Sequence, residues 1–101
     1  MVAVESGAAE SGRVADSTFD PQARTAFARQ VGLRLQRLRL ERGLSQEKVA
    51  HLAGISAYTY QKFEKGESRP GTPLNPRLFT LLALCQVLGV GVGELWGEEQ
   101  V

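Results

Sequence analysis

The segment from Ser45 to Gly66 limits what this chain can fold into more than any other stretch. Ser45 is a favourable N-cap, because its hydroxyl can accept one of the backbone N–H groups that a first helical turn leaves unpaired. Gly54 then supplies a positive-φ stop without the strain of a Cβ. Ile55 follows as an apolar residue, Ser56 caps a second helix, and Gly66 ends it. Val49, Ala50 and Ala53 fall on one face of the first helix, and Tyr60 and Phe63 on one face of the second. Ala50 is small where two crossing helices would come closest. The opposite face of the second helix carries Ala57, Tyr58, Gln61, Lys62 and Lys65.

Two short helices joined by a tight turn containing Gly form a helix-turn-helix arrangement. A second helix with an apolar back and a polar, aromatic and cationic front is built to present that front. The flanking sequence predicts its support. Asp20-Pro21 places an acidic cap before a proline at the first helical position, and the helix it opens runs to Arg42, closed by Gly43. Ala23, Phe27, Val31, Leu35 and Leu38 give this helix one apolar stripe, with Arg24, Arg29, Arg34, Arg37 and Arg42 on its other faces. After the turn-rich segment Glu67 to Leu74, Asn75-Pro76 repeats the cap-plus-proline signature. It is expected to open a helix carrying Leu78, Leu81, Leu82, Leu84, Cys85 and Leu88, closed by Gly89. The last turn, Val90 to Trp96, contains Gly91 and Gly93 and should be weak. Leu95 is expected in the core, and Trp96 in the core or against a partner surface.

A chain of 101 residues suits one small domain. No run of about 18 apolar residues is present, and the N-terminus lacks the basic start and apolar stretch of a secretory signal. The single cysteine, Cys85, lies among apolar neighbours and reads as a buried thiol. Together these features predict a cytoplasmic protein. The overall charge of +1 conceals a division. Residues 1–20 sum to −3, residues 21–97 carry eleven bases against five acids for +6, and Glu98 and Glu99 add −2. We therefore expect a flexible acidic leader at 1–19, a basic folded domain at 20–97 and an acidic tail at 98–101. A basic domain attracts phosphate when its cations share one side. An enzyme is not expected. His51 is the only histidine and faces outward, there is no metal-ligand spacing, and no Gly-rich loop cradles phosphate. Neither a catalytic residue nor a cofactor or metal ligand is assigned.

From Val31 to Trp96 the chain resembles the DNA-binding domain of the Cro and phage lambda repressor family. The matching residues are Val31-Gly32, Leu35, Leu38-Arg39, Gly43-Leu44-Ser45-Gln46, Val49-Ala50, Gly54-Ile55-Ser56, Phe63-Glu64-Lys65-Gly66, Pro70, Thr80-Leu81 and Leu88-Gly89-Val90. The resemblance implies an all-α, compact five-helix domain that binds double-stranded DNA sequence-specifically. It also implies a transcriptional regulator, a repressor acting as a homodimer. By resemblance Ala57, Tyr58 and Lys62 match the base-contacting positions, with Gln61 a second choice able to pair with adenine. The family's glutamine at the Gln46 position touches the DNA backbone and braces the reading helix. Thr59, Lys65 and Arg69 are candidate phosphate ligands. Arg39 and Glu64 match a family ion pair joining the first helix to the end of the reading helix.

The chain departs from that pattern in four places. Its first helix starts early, so Phe27 must bury against the domain's own last helix or a second protomer. Residues Gly71 to Pro76 look inserted. Glycines weaken the last turn, and Tyr60 replaces a branched aliphatic residue, leaving a hydroxyl that needs a partner or solvent. Two other functions use the same fold: an antitoxin-like component of a toxin operon, with a protein partner, and a protein-interaction module that no longer reads DNA.

Overall fold

The computed structural model describes residues 20–97; the leader at 1–19 and the tail at 98–101 lie outside the described residues. Helix α1 spans Pro21–Glu41, α2 Gln46–Ala53, α3 Ala57–Lys65 and α4 Leu78–Leu88. A two-stranded antiparallel hairpin, β1 (Glu67–Arg69) with β2 (Thr72–Pro73), sits between α3 and α4, and a 3₁₀ turn at Val92–Trp96 closes the domain. No helix among the described residues is long and apolar enough to cross a membrane.

The predicted caps set three of the four helix starts. Asp20 Oδ1 accepts the Ala23 N–H at 2.8 Å, Ser45 Oγ accepts that of Lys48 at 3.0 Å, and Ser56 Oγ accepts that of Thr59 at 3.0 Å. Between α2 and α3, Gly54 adopts φ +78°, and the Ile55 N–H donates back to the Ala50 carbonyl at 3.0 Å. That bond folds the chain over the end of α2 and sets Ile55 against the core.

The core is drawn from every helix: Leu35, Val49, Ala50, Tyr60, Phe63, Leu81, Leu84, Cys85 and Leu88, with Leu95 of the closing turn fully buried among them. Cys85 is buried as expected, and burial, helped by the charge of Glu94, pushes its thiol pKa up. Of the stripe read on α1, Leu35 is fully buried and Val31 and Leu38 pack half-buried against the core, while Phe27 stays 40% exposed. Backbone contact adds to this packing. A Cβ on Gly32 would lie 2.4 Å from the Glu64 carbonyl oxygen, and one on Gly66 would lie 2.7 Å from that of Ala28. Glycine at both sites lets α1 and the end of α3 touch along their main chains.

Three expectations are corrected. The fifth helix is a 3₁₀ turn, because Gly91 and Gly93 disfavour a regular helix and five residues allow only one tight turn. Asn75 does not cap α4. The Leu74 N–H is tied to the Gly66 carbonyl at 2.9 Å, residues 74–77 make no helical turn, and the helix begins at Leu78. Its cap position falls on Arg77, which makes no side-chain cap bond. The segment after Gly66 is also more ordered than a plain loop: β1 and β2 pair around Gly71 at φ +84°.

Phe27 packs on Trp96, with ring centroids 5.7 Å apart, so the early turns of α1 rest on the domain's own last turn. The early turns of α1 and the loop after β1 together border an open cleft of about 920 Å³ lined by Phe27, Val31, Leu74, Leu78, Leu81 and Trp96.

Gly32→Ala should destabilise the domain by about 2–3 kcal/mol, because a methyl group there forces two backbones apart. Thermal unfolding followed by circular dichroism should show the midpoint falling by roughly 10 °C or more.

Candidate nucleic-acid interface

The front of α3 is held from behind by one polar cluster. The Arg39 guanidinium, 8% exposed, donates from Nε to Glu64 Oε2 at 2.6 Å and from Nη2 to Glu64 Oε1 at 3.2 Å. Its Nη1 donates to the Leu44 carbonyl at 3.0 Å, which ties down the link between α1 and α2. Glu64 accepts a further bond from Gln46 Nε2 at 2.9 Å. One carboxylate therefore joins the end of α1, the start of α2 and the last turn of α3.

Burial by itself raises the Glu64 pKa, but the neighbouring donors, Arg39 first and then Tyr60 and Gln46, outweigh it and hold the carboxyl below its ordinary value. Tyr60 is fully buried in the core beside this pair. Its hydroxyl reaches neither solvent nor a partner in hydrogen-bond geometry. Burial, followed by the neighbouring Glu64, raises its pKa. The core has accepted the tyrosine, leaving its hydroxyl beside the charges of Glu64 and Arg39 but outside hydrogen-bond geometry with either.

Each candidate residue has a distinct setting. Tyr58 is 68% exposed, and Lys62 Nζ lies over its ring, 4.4 Å from the centroid. This cation–π contact narrows where the lysine points. Gln61 is exposed and donates from Nε2 to Gln46 Oε1 at 3.4 Å. Lys65 is exposed on the last turn of α3, and Arg69 is exposed at the end of β1, outside the reading helix. Ala57 is half-buried and packs partly on the core. Thr59 is also half-buried, and its hydroxyl accepts a bond from Ser56 Oγ at 3.0 Å. Gln46 is half-buried at the first position of α2, its side chain already bonded to Glu64 and Gln61.

Thus Tyr58, Gln61 and Lys62 come together on one accessible face, while Ala57 and Thr59 are partly taken up by packing and capping. The resemblance implied that Gln46 braces the reading helix; its partners there, Glu64 and Gln61, lie too far along the chain for a local rule to name them. The Tyr58–Lys62 contact carried a local signal, an aromatic and a cation four residues apart on one helix.

A helix-turn-helix whose second helix is capped, braced from behind and open in front defines a DNA-binding domain. Residues 30–95 match the family described as a helix-turn-helix domain. The chain belongs to that family, in the Cro and lambda repressor type of transcriptional regulator. It is similar to the cryptic phage CTXphi transcriptional repressor RstR of Vibrio cholerae, at 34% identity over 67 residues that cover 66% of this chain and 55% of that protein. It is 40% identical over 65 residues to the uncharacterized HTH-type transcriptional regulator y4dJ of Sinorhizobium fredii (strain NBRC 101917 / NGR234), covering 64% of this chain and 77% of that one. The fold matches the crystal structure of the restriction-modification controller protein C.AhdI from Aeromonas hydrophila. There the TM-score is 0.60 at 33% identity, over 69% of this chain and 97% of that chain.

Two outcomes follow from the buried pair. Because the Glu64 pKa is lowered on folding, its contribution is complete above the unfolded carboxylate value near 4.3 and is lost as pH falls through the folded value. Arg39→Met should cost about 3–5 kcal/mol at neutral pH by stranding that carboxylate, and its stability should depend less steeply on acid, as read by urea unfolding at several pH values. Tyr60→Phe should leave stability within about 1 kcal/mol of the parent or raise it, since the hydroxyl removed is buried without a partner.

Proposed function

We propose that this chain is a sequence-specific, double-stranded-DNA-binding transcriptional repressor that acts as a homodimer in the cytoplasm. The observation that carries the reading is the front of α3, where Tyr58, Gln61 and Lys62 stand together on a helix whose back is locked by Arg39 and Glu64. In this reading α3 enters the major groove. Tyr58 and the exposed part of Ala57 meet thymine methyl groups, Lys62 donates to guanine N7 and O6, and Gln61 pairs with adenine. Gln46, Thr59, Lys65 and Arg69 hold the flanking phosphates and so fix the register.

One reading helix spans too few base pairs to select a site, so selectivity calls for two protomers on a two-fold-related operator. Helix α4 supports self-association. It contains no charged residue, and Leu78 and Phe79 are 64% and 80% exposed. The relatives named as a repressor and a regulator support the direction of control, over matched segments that include the whole of α3.

The test is selection of bound fragments from genomic DNA by the purified full chain, with competitor DNA at near-physiological salt. The expected result is one short two-fold-symmetric site with half-sites about one helical turn apart. Random fragments that are lost on modest addition of salt would overturn the reading and leave charge alone at work. A protein-interaction module or an antitoxin-like component relying on its partner would give that second outcome. On the selected site, Lys62→Ala should weaken binding by about 1–3 kcal/mol and relax one base position per half-site, measured by fluorescence anisotropy with substituted duplexes.

A further inference from the structure

The cleft bounded by the start of α1, β2 and α4 is apolar on most sides, and Phe27 and Leu78 in its walls are 40% and 64% exposed. Contiguous apolar surface of this kind marks a place that something covers. Three features of the chain point to the cover. The first is connectivity. Pro21 is itself part of the cleft wall, so the segment that precedes α1 joins the domain at the rim of the cleft. The second is charge. Among the described residues that line the cleft, Arg24 is the one cation and none is acidic. The preceding segment carries Glu5, Glu10 and Asp16 against Arg13. The third is side-chain chemistry. Phe19 is the one aromatic residue in 1–19, and the cleft holds the paired rings of Phe27 and Trp96.

We propose that residues 14–19 fold back into this cleft, with the Phe19 ring seated against Phe27 and Trp96 and Asp16 turned to Arg24. The span suffices. Extended chain covers at most about 3.5 Å per residue, so these residues can cross a cleft of about 920 Å³. A guanidinium has five donors, so Arg24 can take a carboxylate beside any bond it already makes. A second copy of the chain is a poorer occupant, because it would set another domain of charge +6 against Arg24.

The docked segment would touch the reading helix from behind, since Phe63 of α3 also lines the cleft. It would also hold the acidic residues away from the front of α3, leaving the cations there to phosphate. The docking itself does not depend on what α3 binds.

The test uses the full chain with Phe19 replaced by p-benzoylphenylalanine, irradiated and then mapped by mass spectrometry. The expected cross-links run from position 19 to residues 72–81 or to Trp96, far away in sequence but on the cleft wall. Mixing isotope-labelled with unlabelled protein separates links within a chain from links between chains. Links between chains only would give the cleft to a second copy and overturn the proposal. So would the absence of any link to residues 72–81 or Trp96.

Trp96, the single tryptophan, reports the same event without a label. Phe19→Ser should leave the helix content by circular dichroism unchanged and shift the Trp96 emission to the red. It should also make the half-buried ring about twofold more open to acrylamide quenching. Arg24→Glu, which sets like charge against Asp16, should move both signals in the same direction. Emission and quenching in Phe19→Ser identical to those of the parent would overturn the proposal. If the protein selects no DNA site, the regulator reading falls while these outcomes still decide the docking.

Discussion

Arg39 and Glu64 face one another from α1 and the last turn of α3, 2.6 Å apart and largely out of water. The arrangement depends on that pair being complete, since either charge alone at that depth would be costly. It depends equally on the absence of side chains beside it. Gly32 and Gly66 bring the backbone of α1 against the end of α3, which shortens the span the ion pair must cross. A guanidinium with five donors suits the place better than an ammonium would. It binds both carboxylate oxygens and still reaches the Leu44 carbonyl that anchors the connection to α2.

What this pair holds still is the back of a helix only nine residues long. A helix so short is marginal by itself in water and takes its stability from packing and caps. Here Tyr60 and Phe63 fill the core, Ser56 binds the first turn and Gly66 ends the last. With the back fixed, the side chains of the front acquire preferred directions: Lys62 over the Tyr58 ring, Gln61 toward Gln46. A reading surface ordered before it meets DNA loses less side-chain freedom on binding, and its wrong pairings are harder to relieve by rearrangement.

The start of α1 and the segment after α3 lie away from this surface. The early turns of α1, before residue 30 where the family match begins, stack Phe27 on Trp96 and border the cleft. The loop after α3 borders it from the other side, tied back where the Leu74 N–H meets the Gly66 carbonyl. None of Tyr58, Gln61 or Lys62 lines the cleft, so it opens away from the front of α3.

Local chemistry by itself determined much of this protein. Ser45, Ser56 and Asp20 cap their helices because a side-chain oxygen one step before a helix meets its free N–H groups whatever else surrounds it. Gly54 and Gly66 stop their helices for an equally local reason, and the apolar spacing of Val49, Ala50, Tyr60 and Phe63 was enough to place those residues inside. The Arg39–Glu64 pairing was legible only through family resemblance, because no local rule links residues so distant. Tertiary structure decided the rest. It tied Leu74 back to Gly66 and set the start of α4 at Leu78, past the cap signature at Asn75-Pro76. It buried the Tyr60 hydroxyl without a partner, drew Ala57 partly into the core, and turned Gln46 toward Glu64 and Gln61. The direction of an amide or the satisfaction of a hydroxyl depends on which atoms arrive from elsewhere in the chain, and only the packed fold brings those atoms together.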